Sequence, residues 1–333
     1  MDFLKSIKKI SIYVLCAAVF CSCSKKKLPE RSTQEMYGFD TYISITRFGN
    51  NDFGEKELLE KLDSEFSEVY RTTANNVSGE NILECAELSR QWKNEYGSIF
   101  GDSVNFTCGT LTRIWGISSL TPRVPEEFEI ESALGTITSE DLPFDKMPSG
   151  TMLDFGASAK GFACDKIKAL LDGNNAECGI ISLGSSMLLY GEKPDKTQFS
   201  AAVRDPFADG SGYLGIIKTD GAFISTSGGY ERFFEQDGVK YEHILSPETG
   251  YPVETDLVSV TVIAPSDTEN GGIYTDLLAT AIYAGGTKAL KSFAAKDSVF
   301  GIVAEDKDKR VYVKGVDFTL DGSSGAKIAE NLR

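Results

Sequence analysis

The spacing of apolar residues along the chain predicts four helices. Residues 55–70 and 81–97 carry apolar side chains at helical spacing with glutamate and lysine between them, and residues 157–173 repeat this pattern. The second of these segments stops at Gly97 and the third also ends at a glycine, as helix C-termini often do. A shorter helix is predicted over residues 273–286, where the chain reads IYTDLLATAIYAGG.

Strand signals occur in clusters between these helices. Two β-rich runs near the C-terminus, at 298–306 and 309–315, predict a closing hairpin, and the stretch 224–234 followed by 243–250 predicts a second hairpin with polar edges. Clustered strands between helices favour an α+β fold. The sequence shows no linker and no repeat after the N-terminal tether, which indicates a single domain. The other predicted strands are residues 41–48, 179–191, 199–205, 212–226 and 257–265.

The first residues have the pattern of a secretory signal. Lys5, Lys8 and Lys9 precede an apolar run, residues 10–20, which is too short to span a bilayer comfortably. The run ends in FCSC and the chain then turns abruptly polar, a pattern that resembles the lipobox of bacterial lipoproteins. We therefore expect Cys23 to be the lipidated first residue of the mature protein.

This interpretation divides the chain into three parts. Residues 1–22 are the predicted signal peptide, residues 23–34 a charged, proline-containing tether, and residues 35–333 the folded domain. The expected product is a membrane-anchored lipoprotein that faces the periplasm of a bacterium. Lipidation at Cys21, a plain signal peptide and an uncleaved apolar anchor stay open as alternatives.

The charge balance argues against a nucleic-acid partner. The 333 residues include 34 lysines and arginines against 49 aspartates and glutamates, which gives a net charge of −15. Phosphate backbones require a basic surface, so this balance is unfavourable for binding them. A hydrophobic content of 41% and a charged content of 25% are ordinary for a globular protein.

Seven cysteines give no sign of a disulfide framework or a zinc site. Three of them lie in the leader, and the other four are scattered without CxxC spacing. We expect buried free thiols at Cys85, Cys108, Cys164 and Cys178.

Three features of the sequence carry candidate chemistry. His243 is the only histidine, so any imidazole chemistry near neutral pH runs through it. Lys160 stands at the predicted start of a helix, where backbone N–H groups and a nearby lysine suit a phosphate. Asp276 and Thr280 lie four residues apart on one helix face and offer hard oxygen atoms, as Mg²⁺ requires. Taken alone, the lysine and the Asp–Thr pair are each more typical of ordinary structure.

The order of several sequence blocks is more specific than any of these features. LDFGASAKGFACDKI, IISLGSSMLLYG, ISTSGGYERFF, HILSPETGYPV and LVSVTVIAPS with YTDLLATAIYAGG follow one another, and GFDTYISI and SVNFTCGTLTRIWG precede them. Together these blocks resemble the FAD:protein FMN transferases of the ApbE family over roughly residues 35–315. The resemblance implies the family's single-domain α+β fold. It also implies an enzyme that transfers FMN from FAD to a Ser or Thr hydroxyl of a target protein and releases AMP.

The resemblance assigns roles to individual residues. His243 matches the family's functional histidine, and it would accept the proton of the incoming hydroxyl. Asp276 and Thr280 match the metal ligands, joined by the backbone carbonyl of Ala157, and Mg²⁺ is the implied cofactor. The residues that match the family's contacts to FAD are Phe39, Tyr70, Ser103, Val104, Asn105, Asp154, Lys160 and Leu245.

Several positions depart from the family pattern. Phe39-Asp40-Thr41 replaces Met-Gly-Thr, and Ser185 replaces a second glycine in SLGSSM. Asn105 stands where aspartate is common, Ser246 where an aspartate usually precedes the proline, and Ala279 where some members add a third helix ligand. These changes bear on flavin orientation and target choice, whereas the matched metal ligands and the histidine are all present.

Two other functions would use the same residues or the same pocket. With water in place of the target hydroxyl, the protein would be a Mg²⁺-dependent FAD pyrophosphatase that gives FMN and AMP. Without chemistry, it would be a lipoprotein that stores or delivers FAD. For the transferase, the implied partners are FAD and an exported acceptor protein with a Ser/Thr flavinylation motif.

A stretch near the C-terminus resembles such an acceptor motif. Asp321, Ser324, Gly325 and Ala326 match the form Asp-x-x-Ser/Thr-Gly-Ala-Thr, whereas Lys327 breaks its last position. Ser324 is therefore a candidate for self-modification, although clusters of Asp, Gly and Ser more often form a turn at the end of a domain.

Overall fold

Groups of helices and groups of strands follow one another along the described part of the chain, which covers residues 30–49, 51–208 and 212–332 of a computed structural model. The helices are α1 (Glu55–Val69), α2 (Glu80–Phe100), α3 (Gly109–Trp115), α4 (Glu127–Leu134), α5 (Ala159–Gly173) and α6 (Gly271–Ala294). The strands are β1 (Arg31–Gly38), β2 (Thr41–Phe48), β3 (Cys178–Leu183), β4 (Ser186–Gly191), β5 (Phe199–Arg204), β6 (Tyr213–Thr219), β7 (Ala222–Ser227), β8 (Phe233–Gln236), β9 (Val239–Glu242), β10 (Leu257–Pro265), β11 (Gly301–Asp306), β12 (Arg310–Lys314), β13 (Asp317–Leu320) and β14 (Lys327–Leu332). This content confirms the predicted α+β fold.

One large sheet organises these elements. Its nine strands lie in the order β1-β2-β3-β4-β7-β10-β11-β12-β14, and neighbours are antiparallel except that β14 runs parallel to β12. A second sheet has the order β13-β6-β5, and β8 and β9 form a short hairpin. The pairing of β11 with β12 confirms the predicted closing hairpin. The second predicted hairpin is shorter than expected, because its strands begin at the end of the first stretch, at Phe233, and end at Glu242, before the second stretch.

The central strands of the large sheet are buried on both faces. On β10, Val260 and Val262 are buried in the core that the sheet shares with the helices. Ile263 points the other way and belongs to a second core, which contains Phe199 of β5 and Ile217 of β6. Because both faces are covered, this strand reads as a nearly continuous apolar run in the sequence.

Helices α5 and α6 are in close backbone contact at two glycines, Gly161 and Gly272. A Cβ atom on Gly161 would lie 2.2 Å from the carbonyl oxygen of Gly272 and 2.8 Å from the Cβ atom of Asp276. Real side chains do not approach backbone atoms so closely, so only glycine fits here. The contact lies in the first turn of each helix and therefore brings the two N-terminal ends together.

The structure corrects several predicted boundaries. β1 begins at Arg31, so residues 31–34 of the predicted tether pair with β2. Helix α6 passes the predicted end at residue 286 and continues to Ala294 across a kink at Gly286, where φ is 67°. The second segment forms because the carboxylate of Asp256 accepts a hydrogen bond from the N–H of Thr287 at 2.9 Å.

Two short helices were missed by the periodicity argument. Helices α3 and α4 have 7 and 8 residues, too few for a clear helical pattern. They form a small core of their own around Leu111, Trp115 and Ile130. The indole of Trp115 donates a hydrogen bond to the carbonyl of Gly250 at 2.8 Å, which ties this core to the segment after His243.

The four cysteines outside the leader are free thiols, as expected. Cys85, Cys164 and Cys178 are also buried as predicted, whereas Cys108 is only partly buried. Among the described residues, none of the helices combines the length and the apolar character needed to cross a membrane. The predicted signal peptide and Cys23 lie outside the described residues.

Candidate active site

A cavity of about 1120 Å³ lies between the β1–β2 turn, the N-terminus of α5, one face of α6 and the segment around His243. Its volume exceeds that of typical pockets for drug-sized ligands, so it has room for a dinucleotide. Every residue to which the sequence assigned a role in binding FAD or metal, or in catalysis, lines this one cavity: Phe39, Tyr70, Ser103, Val104, Asn105, Asp154, Ala157, Lys160, His243, Leu245, Asp276 and Thr280.

Asp276 presents a buried carboxylate from the first turns of α6. The residue is 2% exposed. Its Oδ2 accepts a hydrogen bond from the N–H of Gly161 at 2.9 Å, and its Oδ1 accepts one from the hydroxyl of Ser186 at 3.1 Å. Burial raises the pKa of Asp276, because removal from water disfavours the charged form. A positive charge next to this carboxylate would therefore stabilise it.

The neighbouring donors suit a small hard cation. Thr280, one turn further along α6, has its hydroxyl 3.0 Å from the hydroxyl of Ser227. In a helix that began earlier, the N–H of Gly161 would donate to the carbonyl of Ala157, four residues before it. Here that N–H donates to Asp276 instead, so it does not occupy the carbonyl of Ala157. A carboxylate, a hydroxyl and a carbonyl are oxygen donors of the kind that Mg²⁺ prefers, so these residues fit the predicted cofactor. The described residues contain no cluster of three or more His, Cys, Asp or Glu side chains that could hold a metal ion.

Asp154 and Tyr70 form a second polar group in the cavity wall. The hydroxyl of Tyr70 donates to Oδ1 of Asp154 at 3.2 Å, and the N–H of Gly156 donates to the same oxygen at 2.7 Å. The hydroxyl of Thr112 on α3 donates to Oδ2. This set fixes the carboxylate of Asp154 in the turn that precedes α5.

Lys160 brings a positive charge to the start of α5. Its Nζ lies 3.4 Å from the carbonyl oxygen of Gly156 and 3.9 Å from Oδ2 of Asp276. Its side chain is 17% exposed. An ammonium group beside a helix N-terminus attracts an anion, which supports its predicted contact with a diphosphate.

The tautomer of His243 follows from its contact with Arg232. The carbonyl oxygen of Arg232 lies 3.2 Å from Nδ1 of His243 and also accepts the backbone N–H of His243 at 3.1 Å. A carbonyl can only accept, so Nδ1 carries the hydrogen and Nε2 keeps its lone pair. This arrangement is the one that a general base requires.

His243 is neutral at physiological pH in this structure. Burial and, to a smaller extent, the nearby charges of Arg232 and Lys160 together lower its pKa to about 4, although the hydrogen bond to the Arg232 carbonyl acts in the opposite direction. An anionic ligand in the cavity would raise this pKa by offsetting the two cationic side chains.

Two predicted FAD contacts are also tied into the protein. The side-chain oxygen of Asn105 accepts hydrogen bonds from the N–H and the hydroxyl of Thr107, both at 2.8 Å, so this atom already has partners. The ring of Phe39 packs against Phe66 with 6.1 Å between ring centroids. Phe39 thus offers an aromatic face at one end of the cavity.

Sequence reasoning missed part of the wall. Thr226, Tyr230 and Arg232 come from the stretch ISTSGGYERFF, which the sequence had suggested as a polar hairpin edge and as a family block, without a role for any of these three residues. Arg204, at the end of β5, also lines the cavity. The signal that could have found them was the density of polar and basic residues directly after a buried strand.

Ser324 does not line the cavity. It lies in the turn between β13 and β14, where it is 9% exposed. Its hydroxyl donates to the carbonyl of Asp321 at 2.8 Å and accepts the N–H of Ala326 at 3.2 Å. The structure thus shows the ordinary turn that the composition suggested as the alternative to a modification site.

Two bacterial FAD:protein FMN transferases are similar to this chain in sequence. The FAD:protein FMN transferase of Klebsiella pneumoniae is 32% identical over 235 residues, which are 68% of this chain and 69% of that protein. The FAD:protein FMN transferase of Treponema pallidum is 30% identical over 224 residues, and the match covers 60% of each chain.

Solved structures and a family model agree with these matches. The ApbE protein from Thermotoga maritima has a TM-score of 0.68 at 21% identity and covers 88% of this chain and 98% of its own. The flavin transferase ApbE from Vibrio cholerae has a TM-score of 0.64 at 21% identity, with 89% and 98% covered. These two structures show the same fold. The family model described as ApbE family matches residues 43–302, well over half of the sequence. This chain therefore belongs to the ApbE family.

Proposed function

We propose that this protein transfers FMN from FAD to a Ser or Thr hydroxyl of a target protein and releases AMP. One observation carries the proposal: the only histidine lines the same cavity as Lys160, Asp276 and Thr280. The matched relatives from Klebsiella pneumoniae and Treponema pallidum carry the name FAD:protein FMN transferase, which supports the same reaction here.

Different parts of the cavity wall suit different parts of FAD. Lys160 and the N-terminus of α5 provide the positive end for the diphosphate. Phe39, Val104 and Leu245 provide apolar surface for the rings. Asp154 lines the same cavity with both oxygens already hydrogen-bonded, so its carboxylate is held in one orientation.

The proposed reaction joins the acceptor oxygen to the phosphorus atom of the FMN half. The bond from that phosphorus to the bridging oxygen breaks, and its electron pair leaves with AMP. The hydroxyl proton passes to Nε2 of His243, whose other nitrogen donates to Arg232. A neutral hydroxyl is a poor nucleophile, so this proton transfer is what the histidine contributes.

The cofactor side of the site consists of Asp276, Thr280 and the carbonyl of Ala157. A Mg²⁺ ion bound there would offset negative charge on the diphosphate and on the AMP leaving group. Ser186 and Gly161 hold the carboxylate of Asp276 in place through hydrogen bonds at 3.1 and 2.9 Å.

We further propose that the mature protein is a lipoprotein attached through Cys23, with its catalytic domain in the periplasm. The support is the N-terminal sequence, and it makes exported proteins the expected acceptors. Replacing Cys23 by Ser should release the protein from the membrane fraction. Retention after that change would favour Cys21 or an uncleaved apolar anchor.

One incubation tests the reaction. Full-length protein in detergent is mixed with FAD, Mg²⁺ and an acceptor protein that carries the motif Asp-x-x-Ser-Gly-Ala-Thr, and the control acceptor has alanine in place of the serine. We expect in-gel flavin fluorescence on the first acceptor alone, with release of AMP. Free FMN and AMP without a labelled acceptor would instead identify a pyrophosphatase, and unchanged bound FAD would identify a storage protein.

A further inference from the structure

The turn between β1 and β2 holds two residues in an uncommon backbone conformation. Gly38 and Thr41 form the last pair of the hairpin, so Phe39 and Asp40 alone make the loop. Both have positive φ angles, 49° and 55°, which in such turns are usually taken by glycine or asparagine. A phenylalanine and an aspartate stay there only if other contacts hold them.

Those contacts come from both sides of the turn. The N–H of Phe39 donates to Oδ1 of Asp63 at 2.6 Å. Nη2 of Arg232 donates to the carbonyl of Asp40 at 2.8 Å, and Nη1 lies 3.2 Å from Oδ2 of the same residue. The guanidinium of Arg232 therefore holds both the backbone and the side chain of Asp40.

Arg232 also fixes the catalytic histidine. Its carbonyl accepts the backbone N–H of His243 at 3.1 Å and lies 3.2 Å from Nδ1. Through its side chain and its backbone, this one residue connects the β1–β2 turn to His243.

The connection joins parts of the cavity wall that the sheet does not join. The turn follows β1, whereas Arg232 follows β7, and β3 and β4 lie between β2 and β7 in the sheet. Three strand spacings correspond to about 14 Å. Asp40 and Arg232 both line the cavity, so their ion pair forms part of its wall and joins the β1–β2 turn to the segment after β7.

We propose that Asp40 and Arg232 form a latch in the cavity wall, which retains bound FAD and keeps His243 in position. The inference rests on the proposed function, because FAD is taken as the occupant. Both are positioning residues: they act through Phe39 and His243 and not on the reacting atoms. Asp40 belongs to the stretch that replaces Met-Gly-Thr of the family pattern, so the latch depends on a side chain that the glycine at that position lacks.

The rate of FAD dissociation measures the latch directly. We would follow flavin fluorescence after dilution of full-length protein, comparing wild type with Asp40→Asn, Arg232→Gln and the double variant. Asparagine tolerates positive φ, so Asp40→Asn removes the charge and keeps the turn. Each single variant should release FAD about tenfold faster, and the double variant should exceed either by less than about twofold because the two residues act as a pair.

A control and a second readout separate positioning from general damage. Tyr37→Phe removes a hydroxyl that donates to Oδ1 of Asp40 at 2.9 Å but leaves the ion pair, so it should release FAD at the wild-type rate. Arg232→Gln also removes one of the two cationic side chains beside His243, the other being Lys160. The acid limb of kcat/KM should therefore move to higher pH in this variant, which a purely structural role would not cause.

The outcomes are distinct. Dissociation within about twofold of wild type in both single variants, or a double variant whose effect is the product of the two, would overturn the latch. If the variants release FAD faster while wild type forms no adduct and no AMP, the latch stands and the proposed transferase falls. If wild type labels its acceptor and both variants match it in FAD release and labelling, the transferase stands and the latch falls.

Discussion

The ammonium nitrogen of Lys160 lies 3.9 Å from Oδ2 of Asp276, at the point where α5 and α6 meet. This separation is at the outer limit of an ion pair, so neither charge is fully neutralised by the other. The same carboxylate oxygen accepts its hydrogen bond from Gly161 instead. The site thus keeps one negative and one positive group available side by side, the first suited to a cation and the second to a diphosphate.

Replacing Asp276 by alanine should abolish FAD turnover and weaken FAD binding in Mg²⁺. The variant loses the only carboxylate of the predicted metal site, and we expect the rate of AMP release to fall roughly 100-fold or more. Asp267→Asn, at an exposed aspartate shortly before α6, is the matched control and should leave the rate unchanged. Normal turnover of Asp276→Ala with Mg²⁺ present would refute the site assignment.

His243→Ala should stop transfer and leave FAD binding nearly intact. A general base acts on the nucleophile, so its loss lowers kcat, here roughly 100-fold to 10,000-fold, with little change in FAD affinity. Fluorescence titration with FAD and acceptor labelling, measured on the same preparation, check the two parts. A parallel loss of binding and labelling would make His243 a pocket residue instead.

The pH profile of kcat/KM should be flat across neutrality on its acid side. A base is active when unprotonated, and burial holds the pKa of His243 at about 4 in the free protein. Activity should therefore persist as the pH falls to about 5 and disappear only as it passes through about 4. Initial rates at limiting FAD over pH 4–8 provide the measurement, and an acid limb centred near pH 6.5 would contradict the buried environment.

Glu305 on β11 should make the fold less stable in alkaline solution. It is 1% exposed, and no described residue donates a hydrogen bond to its carboxylate. Burial, and to a smaller extent the charges of Asp205 and Asp306, raise its pKa from the usual 4.5 to about 7, although Lys309 acts in the opposite direction. The folded state binds this proton more tightly than the unfolded state does. The proton's contribution to the free energy of unfolding is therefore complete below about pH 4.5 and is lost as the pH rises through 7.

The variant Glu305→Gln tests that contribution to stability. It removes the buried charge, so the free energy of unfolding at pH 8 should increase by up to about 3 kcal/mol and its decline between pH 5 and 8 should flatten. Urea titrations at several pH values measure this. Glu131→Gln, at an exposed glutamate of α4, should change nothing. A variant as pH-dependent as wild type would show that Glu305 is not the group responsible.

Ser324 should not become flavinylated by the protein itself. Its hydroxyl is buried in a turn and donates to the carbonyl of Asp321. Full-length protein incubated alone with FAD and Mg²⁺ should keep its unmodified intact mass while it remains able to label an acceptor. A covalent FMN adduct that disappears in Ser324→Ala would contradict this expectation and would mean that the turn opens.

Local patterns in the sequence predict the elements that surround the site. The apolar spacing of α1 and α2 and the β-branched runs of β2 and β10 arise from the faces that these elements bury. The local sequence of each element is therefore enough to predict it. The order of the matched sequence blocks likewise predicts that His243 and Asp276 belong to one site, and both residues line the cavity.

Contacts between distant residues could not be predicted in this way. The ion pair of Arg232 with Asp40 joins positions 192 residues apart, and the sequence around either residue does not predict its contact with the other. The parallel pairing of β14 with β12 is equally non-local, since a strand's own sequence does not specify its direction relative to a neighbour. The missing hydrogen-bond partners of Glu305 follow from packing alone, because the strand pattern places it without showing what surrounds it.

The close approach of Gly161 to Gly272 also restricts how this sequence can change over time. The two atoms nearest to a side chain at position 161 belong to the backbone of Gly272, so replacing a side chain elsewhere in α6 would not remove them. A lineage that lost this glycine would have to move a whole helix to restore its fit, and that movement would separate Lys160 from Asp276. Drift at this position would therefore remove the chemistry together with the packing, and one mutation alone could not repair either.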